Sequence, residues 1–183
     1  YMGRDSNKPQ SSLVGSAGEH LVLSKLLIKN YIAALAPEFT KSYDIIVLNK
    51  DGTSSFPIQV KSSYDSNYGW ILSQKNEEPI KNLFYAFVDF QSSEENPNIY
   101  IIDSPLVAKL VKTSHQIYLK VPGRKGQKHN DTPMRRLAYD FKNTWKNTSN
   151  LEKYLNKQEL AFLNKYSNGW LDEYKDAWHL IKE

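Results

Sequence analysis

Apolar residues recur at helical spacing soon after the start of the chain. Leu21, Leu23, Leu26, Leu27, Tyr31 and Ala34 fall mostly on the three-to-four-residue period that places side chains on one helix face. Ser16 and Glu19 have the Ser-x-x-Glu spacing of a capping box, so the pattern predicts a helix opening at Ser16 and bounded by Pro37. The period then shortens. Residues 43–48 form a β-branched apolar run, Asn49-Lys50-Asp51-Gly52 supplies a hairpin turn, and 56–63 read as the returning strand, with Pro57 at its edge or entry. Residues 83–90 predict a third strand apolar on both faces, and 99–102 a fourth. Ser104-Pro105 then reads as a cap followed by the first helical position, opening a helix to about Lys112.

This order of helix, hairpin, two strands and helix predicts an α/β fold, a mixed central sheet flanked by helices. Residues 122–126, Pro-Gly-Arg-Lys-Gly, form a basic loop. Residues 151–166 and 171–181 are expected to be C-terminal helices, with Ser149 and Glu152 capping the first. Their aromatic residues Trp145, Tyr154, Phe162, Trp170, Tyr174 and Trp178 are most simply a packing face, a protein interface being the alternative. The expected organisation is a polar tail over 1–11 and one domain over 12–183. Its core covers about 12–121, followed by the basic loop and a helical extension over 122–183. At 183 residues the chain is long enough for such a core.

Composition narrows the chemistry. The chain has no cysteine, which excludes disulfides, thiolate nucleophiles and cysteine-ligated zinc, and fits a cytoplasmic protein. No apolar run approaches the roughly 20 residues that cross a bilayer, so no membrane partner is expected. The net charge is +4, but its distribution matters more. Between residues 112 and 136 there are seven Lys or Arg against one acid, Asp131. Arg124, Lys125, Lys128, Arg135 and Arg136 are therefore candidate phosphate contacts, with an ordinary solvated surface as the alternative. Tyr64, Tyr68 and Trp70 follow the hairpin; Tyr64 is a candidate base-stacking residue, and core packing is the simpler account of Trp70.

The chemistry-bearing group lies on the hairpin. Gln59 and Lys61 are two apart and share one strand face, while Ile58 and Val60 face the other layer. The turn can bring Asp44 beside them. A carboxylate, an amide oxygen and an ammonium would then converge. Hard oxygen donors suit Mg²⁺, and a nearby lysine can stabilise charge developing on a phosphate.

Asp44, the turn and Gln59-Val60-Lys61 resemble the core of the PD-(D/E)xK (restriction endonuclease-like) nuclease superfamily, in its Gln-x-Lys variant. Gly18-Glu19 matches the acidic residue that many members carry on the preceding helix. Tyr43 stands where the family has Pro, and Gln59 where it has an acid. The resemblance implies an α-β-β-β-α-β core, here with extra C-terminal helices, and a cofactor of Mg²⁺ or Mn²⁺. It implies a catalytic group of Glu19, Asp44, Gln59 and Lys61. The metal would be held by Asp44, Gln59, the main-chain carbonyl of Val60 and Glu19. The expected activity is hydrolysis of DNA phosphodiester bonds by an endonuclease of restriction, resolvase or homing type. RNA is compatible with the same site, and a homodimer is a compatible assembly. The alternative is a catalytically inactive nucleic-acid-binding or assembly module on the same scaffold. For Glu19 the competing reading is the capping box with Ser16; for Asp44 it is a turn contact; for Gln59 and Lys61 it is a solvated strand face.

Overall fold

The computed structural model describes residues 9–37, 40, 42–49, 51–65 and 67–181. Most of the expected tail, and Lys50 of the expected turn, lie outside the described residues. Helix α1 spans Ser11–Ile28, followed by strands β1 (Ile32–Leu35), β2 (Ile45–Leu48) and β3 (Ser55–Ser63). Strand β4 (Trp70–Ser73) leads into a 3-10 turn, Gln74–Glu77. Strands β5 (Phe84–Asp89) and β6 (Asn98–Asp103) precede helix α2 (Ser104–Lys120), strand β7 (Met134–Leu137) and helix α3 (Lys157–Lys165).

The main sheet has five strands in the order β1-β2-β3-β5-β6. β3 and β5 run parallel; the other neighbours are antiparallel. The fold is the expected mixed α/β sheet flanked by helices. In this chain β6 comes between the third core strand and α2, and the strand after α2 leaves the main sheet to pair with β4.

Alternation along the strands decides which layer each residue joins. Phe56, Ile58 and Val60 of β3, with Ala86 and Val88 of β5, pack under Val22 and Leu26 of α1. Tyr85, Phe87, Tyr100 and Ile102 face the other way, into a core with α2, the β4–β7 ribbon and the C-terminal aromatic residues. Trp70 belongs to that core, its indole donating to the Val88 carbonyl at 2.9 Å. Phe141, Phe162, Tyr166, Trp170 and Tyr174 continue it as a run of ring contacts. Pro57 sits one residue before the β3–β5 pairing begins at Ile58, where its missing N–H costs no ladder bond.

Several boundaries differ from the sequence reading. Helix α1 opens at Ser11, with extended Gln10 before it, so Ser16 and Glu19 lie inside the helix and form no capping box. It ends at Ile28, not near Pro37, because Asn30 takes the left-handed conformation (φ 64°) and turns the chain into β1. Ile32–Leu35 therefore continues the sheet rather than the helix. Helix α2 runs a full two turns beyond Lys112, and Ser104 lies inside it, its hydroxyl accepting from the Ile80 N–H at 2.9 Å. The first C-terminal helix starts only at Lys157. Its capping box is Asn156 with Glu159, not Ser149 with Glu152. The segment expected as a final helix holds only two 3-10 turns, Asp172–Tyr174 and Trp178–Leu180. Before its second turn this segment runs along β6, with Asp176 N–H donating to the Ile99 carbonyl at 2.8 Å. Its aromatic spacing reflects burial rather than helical period.

Candidate metal and nucleic-acid site

The site begins where two strands part. β2 and β3 are in register from Leu48 opposite Ser55 to Ile45 opposite Ile58. One more ladder bond follows, Asp44 N–H to the Ile58 carbonyl at 2.8 Å. β3 then runs on to Ser63, and among the described residues no strand continues on that side. The Val60 N–H faces the vacated edge, and a main-chain donor there needs a partner. Asp44 supplies it, Oδ2 accepting from Val60 N at 2.7 Å. The same oxygen accepts from Gln59 Nε2 at 3.2 Å. With its amide nitrogen turned to Asp44, Gln59 keeps its amide oxygen as a donor atom for a cation. A residue's N–H and C=O point to the same edge of a strand, so the Val60 carbonyl faces this gap too.

Glu19 arrives from α1 because that helix lies unusually close to β3. A Cβ on Gly18 would fall 1.9 Å from Ser62 Oγ, so a larger residue there would force that hydroxyl or the helix to shift. Burial raises the Glu19 carboxyl above the usual carboxylate range, and the Asp44 charge raises it further. Lys61 follows Val60 and turns to the opposite layer, beside Phe87. Burial holds its ammonium below the usual lysine range, against an upward pull from Asp44. Lys75 adds to the lowering, and Glu19 opposes it.

The donor set is two carboxylates, an amide oxygen and a main-chain carbonyl. Among the described residues no group of three or more His, Cys, Asp or Glu could hold a metal. This set does not make an all-protein cage. It does fit a hard cation that retains water, and Mg²⁺ is commonly bound by one or two carboxylates in this way.

The structure thus brings together Glu19, Asp44, Gln59, Val60 and Lys61. The expected nucleic-acid residues are dispersed. Arg124, Lys125 and Lys128 are exposed on a turn after α2, closed by Gly126 N–H to the Gly123 carbonyl at 2.8 Å. Arg135 is not available to a phosphate. It is 4% exposed, its guanidinium paired with Glu77 and donating to the carbonyls of Thr132 and Met134. Arg136, the next residue on β7, is half-buried and lies over the Tyr68 ring, 5.4 Å from its centroid. Tyr64 is half-buried and donates its hydroxyl to Glu94. Of the lone histidines, His115 pairs with Asp131 at 2.8 Å. Two further acid-x-Lys pairs in the chain, Asp140 with Lys142 and Glu173 with Lys175, lie outside any named strand.

Lys75 is the residue that the sequence reading missed. A single lysine in a polar turn carries no signal; only the folding of that turn over the sheet places it near Lys61.

The sequence matches no family model and no curated protein. The fold is similar to a solved bacterial homing endonuclease, I-Ssp6803I, with a TM-score of 0.51 at 14% identity, over 95% of this chain and 92% of that one. At this identity the likeness shows the fold alone. No described helix is long and apolar enough to cross a membrane.

Proposed function

We propose that this protein is a metal-dependent endonuclease of the PD-(D/E)xK type, in its Gln-x-Lys variant, acting on DNA. The observation that carries the reading is the gathering of Asp44, Gln59, Val60 and Lys61 at the point where β2 leaves β3, with Glu19 delivered beside them by α1.

Asp44, the Gln59 amide oxygen, the Val60 carbonyl and Glu19 would hold Mg²⁺ or Mn²⁺. That cation would polarise a phosphodiester and promote ionisation of water. The chain's own part is positional and electrostatic. Asp44 is fixed by two hydrogen bonds before any cation arrives, so its orientation costs little on binding. Lys61 is poised to stabilise negative charge growing on the phosphate or to orient the attacking water. Its partial burial strengthens that interaction, because water competes less there. Arg124, Lys125, Lys128 and Arg136 are the cations proposed to contact DNA beyond the site.

The test is cleavage of supercoiled plasmid with Mg²⁺ or Mn²⁺, beside the Lys61→Ala variant. Nicking or linearisation by the wild type, lost in folded Lys61→Ala, supports the reading. Equal cleavage by both proteins removes the mechanism, and no cleavage by either removes the enzyme.

A further inference from the structure

Lys61 has a second lysine for a neighbour. Lys75 lies on the 3-10 turn Gln74–Glu77, whose buried Asn76 reaches Tyr85 on the sheet face opposite α1. The turn is clamped to that face. Asn76 donates to the Tyr85 hydroxyl at 2.9 Å and accepts from Ser73 N–H at 2.9 Å. Tyr85 is the register partner of Gln59, and Phe87 that of Lys61, so partners in this parallel pair share a face. On the other side Glu77 is tied to Arg135 of β7. Asn76 and Glu77 are thus both fixed, which holds the turn, and exposed Lys75 with it, over the face that carries Gln59 and Lys61. The electrostatics agree with this placement: Lys75 acts on Lys61 more strongly than Glu19 does.

Two neighbouring ammonium groups repel each other. An anion between them reverses the sign of that interaction. Resting on the nuclease reading for the identity of the anion, we propose that Lys75 is a second phosphate-binding cation of the site. It grips the nucleic-acid backbone from the sheet face opposite the helix that carries Glu19. The substrate would enter with Glu19 and the cation on one side and the two lysines on the other. The arrangement suits a backbone phosphate, whose oxygens can meet a metal and an ammonium at once.

The experiment compares wild type, Lys75→Ala and Lys75→Glu. Binding of a fluorescein-labelled duplex is measured by anisotropy in EDTA across a salt series, and plasmid cleavage in Mg²⁺. Because Lys75 is exposed, both variants are expected to fold, which circular dichroism checks. The expected result for Lys75→Ala is a log–log salt slope shallower by about 1, the share of one phosphate contact. Cleavage should fall at least about tenfold, with a larger loss in Lys75→Glu. Unchanged slope and unchanged cleavage in both variants overturn the role of Lys75 while leaving the nuclease reading intact. A shallower slope in a protein whose wild type cuts no DNA keeps the phosphate contact and removes the nuclease. No binding by the wild type overturns both.

Discussion

Asp44 does the work of a missing strand for Val60. Where β2 turns away, its carboxylate takes the Val60 N–H at 2.7 Å, the bond a continuing strand would have made. A structural need of the sheet thus fixes an acid at the sheet's open edge. The same bond orients Asp44 beside the Gln59 amide.

This double role separates two substitutions. Asp44→Ala leaves the Val60 N–H without its acceptor and should cost about 1–3 kcal/mol. Asp44→Asn keeps an oxygen for that N–H and should stay within about 1 kcal/mol of wild type. If the proposed site binds the metal, Mn²⁺ should raise the wild-type melting temperature, and both variants should lose that rise. Thermal melts with and without Mn²⁺ check this; an Mn²⁺-induced rise retained in Asp44→Asn would remove Asp44 as a ligand.

Gln59 stands where the related motif has an acid, and its amide donates to Asp44. A glutamate there could not donate and would face Asp44 charge to charge. Gln59→Glu should therefore melt lower than wild type in EDTA. Its gain on adding Mg²⁺ should exceed the wild-type gain, because a third carboxylate binds the cation more tightly. An unchanged gain would show that residue 59 is not a ligand.

The Glu19 carboxyl lies above the usual range because of burial and then Asp44. Between its unfolded and folded pKa the native protein holds a proton that the unfolded chain has released. Stability must therefore fall as pH rises through that window, and the full cost is present above it. At the proposed site a divalent cation would offset the cost only once Glu19 is ionised. The rise in Tm with Mg²⁺ should be small below the window and grow above it, and Glu19→Gln should flatten that growth. Melts across the carboxylate range, with Mg²⁺ and with EDTA, measure both; equal pH dependence in the two proteins would mean that Glu19 takes no part.

Gly18 sets how close α1 comes to β3, and Ser62 Oγ is the atom it meets, buried there without a hydrogen-bond partner among the described residues. Gly18→Val should push the helix off and cost about 1–3 kcal/mol. It should also move Glu19 and so lower cleavage. Gly18→Ala loses stability through the same contact, and adding Ser62→Ala removes the offending atom. The pair should recover at least about 0.5 kcal/mol over the sum of the single changes, read from urea melts. Strict additivity would mean that the two residues do not touch.

The sequence by itself determined four of the strands, β2, β3, β5 and β6, and the motif that the first two carry. Short apolar runs mark β2 and β5 and alternation marks β3, all locally, and the Asn49–Gly52 turn makes the register of the hairpin a short-range matter. Asp44, Gln59 and Lys61 could be placed together for that reason. Helix limits were less legible. Ser16 with Glu19 has the spacing of a cap, but spacing alone does not say whether the chain before it is already helical. Likewise Ile32–Leu35 is as apolar as a helix face, and only pairing with β2 makes it a strand. Tertiary structure alone decided that Arg135 is buried on Glu77 and that Lys75 comes to lie near Lys61. Both depend on how β4, the turn after it and β7 fold back over the sheet. The β4–β7 pairing and the Glu77–Arg135 contact join residues about sixty positions apart, and no local period records them.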